Sequence, residues 1–178
     1  MDYKILYILL EGVDDERFFS SIVSPLFQDK YSYIVFYKYA SEAPKKIRNF
    51  LKSIKSMNEK NLADYYFVSD MDSNICITFL KDKLKNKFNI YDLSKIMIVI
   101  KEIECWYLAG LNNDFLRKYG ISKCSDTCRI FKEDFNRLIP PTFSFRTDFM
   151  IECLKFFSID EAKIFNSSFD YFINCISN

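Results

Sequence analysis

The chain of 178 residues contains no histidine. That absence removes Ser-His-Asp and Cys-His nucleophile pairs, HNH-type nuclease chemistry, HExxH zinc sites and Cys/His zinc fingers. Imidazole is also the one side chain whose unperturbed pKa lies near neutrality. Any catalysis therefore falls to carboxylates, lysines, thiols, hydroxyls or a bound metal. An excess of charge is missing too: 25 Lys+Arg stand against 24 Asp+Glu. No global field draws such a chain onto a polyanion, so contact with nucleic acid must come from a local patch. Long apolar runs are lacking as well. The segments Ile5–Leu10 and Ile96–Ile100 fall far short of the roughly 20 residues that span a bilayer. The stretch from Met1 to Leu10 is too short for a signal peptide with its cleavage site.

Six cysteines (Cys76, Cys105, Cys124, Cys128, Cys153 and Cys175) are dispersed along the chain. Cys124 and Cys128 form the one close pair, but their spacing is not CxxC and no second pair completes a zinc site. They read as reduced thiols in a soluble cytoplasmic protein with no membrane partner. The length suggests one domain with enough chain to bury a core.

What is present alternates cleanly over the first hundred residues. Apolar, β-branched and aromatic runs predict strands at Tyr3–Leu10, Tyr31–Tyr39, Ala63–Ser69 and Lys95–Ile100. Between them, Phe18, Phe19, Ile22, Val23 and Leu26 recur at helical spacing. Pro44 opens a second helix with Ile47, Phe50, Leu51 and Ile54 on its buried face, and residues 74–88 form a Lys-rich third. This order predicts an α/β fold: a Rossmann-like, mainly parallel sheet of about four strands built from βαβ units. After Glu102 only helical patterns follow: Glu104–Leu111, Thr127–Leu138, Phe145–Phe157, Asp160–Phe165 and Phe169–Ile176. The expected organisation is a core over 1–111 and a helical C-terminal cap over 112–178 packed on it.

In an open parallel sheet, ligands bind beyond the carboxyl ends of the strands. Three of the four predicted ends carry acids: Glu11-Gly12-Val13-Asp14-Asp15-Glu16, Asp70-Met71-Asp72, and Glu102-Ile103-Glu104. One such cluster ordinarily caps the helix that follows, and Asp14 and Glu16 read that way. Three clusters converging on one edge repel each other, and a divalent cation is the usual remedy. Hard oxygen ligands favour Mg2+ or Mn2+ over zinc. Gly12 is expected to permit a tight turn and the approach of a ligand. Asp70 and Asp72, two apart in an extended segment, are expected to point the same way.

A strand ending in Leu9-Leu10-Glu11-Gly12 and a later one ending in Val68-Ser69-Asp70-Met71-Asp72 resemble the TOPRIM family, the metal-binding core of topoisomerases, bacterial primases and OLD-type nucleases. The run Glu11–Phe19 is similar to the opening of small stand-alone TOPRIM proteins of the RloB-like kind, linked to phage defence and mobile elements. Ile103-Glu104-Cys105-Trp106-Tyr107-Leu108-Ala109 resembles their IEAWLLA stretch, and Ser168-Phe169-Asp170-Tyr171-Phe172 their closing helix. Two positions depart from the pattern: Asp15 stands where Glu is common, and Gly110 where the stretch ends in Asp. The resemblance implies that Glu11 binds metal or acts as general base and that Asp70 and Asp72 bind Mg2+ or Mn2+. Asp15 and Glu104 are the candidates to complete a two-metal site, an arrangement suited to phosphodiester cleavage without histidine.

Lys45, Arg48, Lys52 and Lys55 fall on one helical face and are the candidate contacts to the backbone of DNA or RNA. Lys81, Lys83, Lys85 and Lys87 form a second basic group. Trp106 is expected to pack rather than to stack on a base. The expected activity is metal-dependent nucleic-acid cleavage, with an ATPase as a conceivable partner protein. The alternatives are a non-catalytic metal- or partner-binding module and, on the strength of DxD after a strand, a HAD-type phosphatase.

Overall fold

All four expected strands are present in the computed structural model, which describes residues 3–74 and 76–177. Met1, part of the opening stretch, and Ile75, inside the expected third helix, lie outside the described residues. Strands β1 (Ile5–Leu10), β2 (Tyr33–Lys38), β3 (Ala63–Asp70) and β4 (Ile96–Val99) form one all-parallel sheet in the order β2-β1-β3-β4. β1 is central, pairing Ile5 with Tyr33 on one side and with Ala63 on the other. Its burial explains its unbroken apolar sequence: Leu6, Ile8, Leu9 and Leu10 have no solvent exposure.

The chain divides into two compact units, Met1–Ile98 and Val99–Asn178. In the first, α1 (Val13–Phe18) runs on through a π-helical turn (Phe19–Val23) and a 3-10 turn (Ser24–Phe27). Pro25 has no N–H to give, so a regular helix cannot pass through it. α2 (Pro44–Asn58) begins with proline at its first position and buries Ile47, Leu51 and Ile54. Each such side chain contributes about 2 kcal/mol of hydrophobic stabilisation. α3 (Ile77–Phe88) buries Leu80, Leu84 and Phe88, and it ends at Asn89 in the left-handed region, φ 54°. These two helices share a core with Leu9, Tyr65 and Phe67 of the strands. Phe27, from the segment after β1, stacks on Tyr66, whose side chain lies on the opposite face of β3 from those of Tyr65 and Phe67.

The second unit is helical: α4 (Glu104–Ala109), α5 (Asn113–Tyr119), α6 (Lys132–Arg137), α7 (Arg146–Lys155), α8 (Ile159–Phe165) and α9 (Ser167–Ser177). α5 has no counterpart among the sequence expectations, and the expected helix over Thr127–Leu138 is a 3-10 turn (Thr127–Arg129) followed by the short α6. The unit begins at Val99, not at residue 112, because α4 is built into it. Trp106 is fully buried against Phe169 and Phe172 and donates its indole N–H to Ser168 Oγ at 2.9 Å. The two C-terminal motifs that resemble TOPRIM stretches are thus one packed pair, and Trp106 is a core residue. Buried Asn166 ties the same elements together, donating to Thr127 Oγ1 and accepting from Ser168 Oγ. None of the six cysteines forms a disulfide. Among the described residues no helix is long and apolar enough to cross a membrane.

Candidate active site at the carboxyl edge of the sheet

The chain leaves β1 towards β2 on one side and returns past β1 to β3 on the other. The strand order therefore switches direction between β1 and β3, the place where an open α/β sheet leaves a crevice at its carboxyl edge. Glu11 follows the last residue of β1, and Asp70 is the last residue of β3. Glu11 Oε1 accepts three hydrogen bonds there: from Asp70 N–H at 3.0 Å, from Ser69 Oγ at 2.8 Å and from Tyr39 Oη at 3.0 Å. The Tyr39 hydroxyl also lies 3.0 Å from the Val68 carbonyl. Burial, reinforced by Glu11's charge, pushes that hydroxyl well above its ordinary pKa, so it stays a donor. Oε1 is thereby committed to holding the two strand ends together.

Glu11, Asp70 and Asp72 line one cleft of about 250 Å³, with Glu42 on its rim. Asp72 reaches it by a different route from the one its spacing suggests. It does not continue the strand but sits in the left-handed region at φ 48°, a conformation that Asp tolerates better than most residues. Partial burial, and then the charge of Glu11, raises the Asp72 carboxyl above its ordinary pKa. Lys83 and Lys87, one helical turn apart on α3, line the same cleft. The sequence places them on a Lys-rich face but has no signal to single them out.

Two expected ligands are not among the residues that line this cleft. Asp15 is buried and its Oδ2 accepts from Gly12 N–H at 3.0 Å, closing the turn that starts α1. Asp14 and Glu16, read from sequence as caps, instead pair with Arg17 and Lys38. Glu104 lies in the second unit, buried and paired with Arg146. Burial raises its carboxyl pKa, and the Arg146 charge opposes the rise. Gly12 needs none of the freedom expected of it: its φ of −144° suits any residue, and a Cβ there would make only an ordinary contact. Gly110 does matter, because a Cβ would collide with the Phe157 ring. The position that resembles a family aspartate has no room for one.

Of the basic stripe, Arg48, Lys52 and Lys55 line a second cleft of about 290 Å³ with Asn89 and Tyr91. Lys45 is exposed at the start of α2 and lines neither cleft.

Among the described residues no three Asp, Glu or Cys side chains stand close enough together to hold an ion. Mg2+, however, commonly keeps several waters and binds through one or two carboxylates plus a substrate phosphate. The donor set meets that requirement: hard oxygens only, with Glu11 and Asp72 already repelling each other. No family model, curated protein or solved structure matches the chain.

Proposed function

We propose that the cleft between β1 and β3 is a Mg2+- or Mn2+-dependent site for phosphodiester cleavage in nucleic acid, as the TOPRIM resemblance implies. The observation that carries this reading is the hydrogen-bonded union of Glu11 with Asp70 at a topological switch point, in one cleft with Asp72, Lys83 and Lys87. In this reading one or two of the carboxylates Glu11, Asp70 and Asp72 hold the cation, and waters and a substrate phosphate oxygen complete its shell. When bound, the cation supplies charge stabilisation to the phosphoryl group under attack. Lys83 and Lys87 bind the non-bridging phosphate oxygens and orient the substrate across the cleft. Tyr39 and Ser69 keep Glu11 in place through Oε1, leaving Oε2 as its oxygen for the cation or for a proton of the attacking water.

The test incubates purified protein with single- and double-stranded DNA and RNA, in Mn2+ or in EDTA, beside the double variant Glu11→Gln, Asp70→Asn. Cleavage is expected in Mn2+ and lost in EDTA and in the variant. Cleavage that survives the double substitution removes the site from this cleft. Mn2+ binding without cleavage, abolished in the variant, would instead identify a metal-binding module.

A further inference from the structure

Most arginines and many lysines of this nearly neutral chain are paired with carboxylates: Arg17 with Asp14, Lys38 with Glu16, Arg117 with Asp114, Arg137 with Asp134. The α2–α3 seam is different. Arg48, Lys52 and Lys55 fall at i, i+4 and i+7 and share one wall of the second cleft, whose lining contains no carboxylate. Among the described residues neither Arg48 nor Lys52 forms an ion pair, and Lys55 only approaches Glu59, at 4.0 Å. Two of these cations are also pre-positioned. Arg48 Nη1 donates to the Lys87 carbonyl at 3.0 Å, and Lys55 Nζ lies 5.6 Å from the centre of the Tyr91 ring.

Lys87 joins the two clefts. Lys87 lines the acid cleft, and its carbonyl anchors Arg48 of the basic one, so the last turn of α3 contributes to both. Asn89, left-handed at the end of that turn, redirects the chain so that Ile90 is buried and Tyr91 becomes cleft wall.

We propose that the Arg48–Lys52–Lys55 cleft binds the phosphate backbone of a single-stranded nucleic acid whose neighbouring phosphate occupies the acid cleft. The claim rests on the reading of the acid cleft as a phosphodiester site and names its substrate class. Cations in excess of nearby carboxylates, in a concave cleft whose lining holds no acid, recognise a polyanion. A narrow basic groove beside an aromatic ring suits one strand, because it tracks a single backbone and leaves the bases free. A duplex would have to offer both backbones to two clefts set on a helix seam.

The test is fluorescence anisotropy of a labelled oligodeoxythymidylate and of a duplex of equal length, in EDTA so that nothing is cleaved. Lys52→Glu/Lys55→Glu is compared with Lys30→Glu/Lys132→Glu, which changes net charge equally at exposed positions away from both clefts. The first variant is expected to bind the single strand on the order of tenfold more weakly, with the salt slope reduced by about 1.4, from ~0.7 per lost phosphate contact. The second variant is expected to match the unaltered protein. Equal loss in both variants, or duplex binding as tight as single-strand binding, overturns the proposal. Glu11→Gln, Asp70→Asn separates it from the catalytic reading. Binding that persists in that variant while no cleavage is ever seen fails the catalysis and leaves this cleft standing.

Discussion

Asp70 donates its backbone N–H to Glu11 Oε1 at 3.0 Å, and that bond joins the carboxyl ends of two adjacent parallel strands. Two acids that would otherwise repel are held side by side by a main-chain dipole, with hydroxyls from Ser69 and Tyr39 sharing the same oxygen. The negative charge of Glu11 is thus kept where the strand order switches, with its Oε1 fully engaged.

Tyr39 should therefore act on Glu11 and not only on the core. Tyr39→Phe keeps the ring contacts with Phe67 and Phe88 and deletes the hydroxyl. The expected loss of stability is about 1 kcal/mol, measured by urea unfolding. Mn2+ affinity, measured by calorimetry, should fall several-fold because the carboxylate gains freedom. The same stability loss with unchanged affinity would show that the hydroxyl supports the fold alone.

Asp72 carries a cost that a bound cation would relieve. Burial and the charge of Glu11 raise its carboxyl pKa in the folded protein, so the folded state holds that proton more tightly than the unfolded chain. Stability is then lost as pH rises through the raised value, where the metal-free protein comes to bear the repulsion. Asp72→Asn, which tolerates the left-handed backbone, is expected to raise the Tm of the metal-free protein and to abolish the further rise caused by Mn2+. A variant that lowers Tm without metal would place Asp72 in a stabilising role.

Much of this architecture is legible in the sequence, for identifiable reasons. β1, β4 and the Tyr65–Val68 stretch of β3 are unbroken apolar runs because they are largely buried, and Glu11 and Asp70 stand out as the charges that follow such runs. Tyr39 does not stand out, since an aromatic at the end of β2 reads as core until its hydroxyl is seen to reach Glu11. Lys83 and Lys87 are hidden in a run of alternating lysines, of which register alone selects two. Asp72 defeats the two-residue period because the backbone turns left-handed there. The boundary at residue 99 is invisible locally, being set by Trp106 finding Ser168 some 62 positions along the chain.

Far from the cleft, Asp64 should govern the acid limb of stability. Burial raises its carboxyl pKa, but hydrogen bonds from Lys4 and Tyr31 outweigh burial and the net value lies below the ordinary one. Lys4 Nζ is 2.9 Å away, Tyr31 Oη 2.8 Å and Asn58 Nδ2 2.8 Å. A depressed folded pKa contributes stability above the unfolded value of about 3.9, and that stability is lost as pH falls through the depressed value. Asp64→Asn is expected to cost about 2 kcal/mol at pH 7 by urea unfolding. The gap between variant and parent should close as pH falls through the depressed value, below which both carry a neutral group. A gap independent of pH would mean that packing, not charge, is what the substitution disturbs.

Glu104 poses the sharpest choice between a ligand and a structural acid. Its carboxylate is buried and paired with Arg146, which keeps partial access to solvent and packs its guanidinium 5.6 Å from the Phe135 ring centre. Removing one partner of such a pair strands a charge in the protein interior, whereas removing both leaves an apolar contact. Arg146→Met is therefore expected to cost about 3 kcal/mol, the low end for a buried pair because the arginine is partly solvated. Adding Glu104→Leu should restore most of that loss. If Glu104 served the cation instead, the double variant would regain stability yet lose Mn2+ affinity. Its engagement by Arg146 predicts the opposite: unfolding by urea recovers, and calorimetric Mn2+ affinity matches the parent throughout.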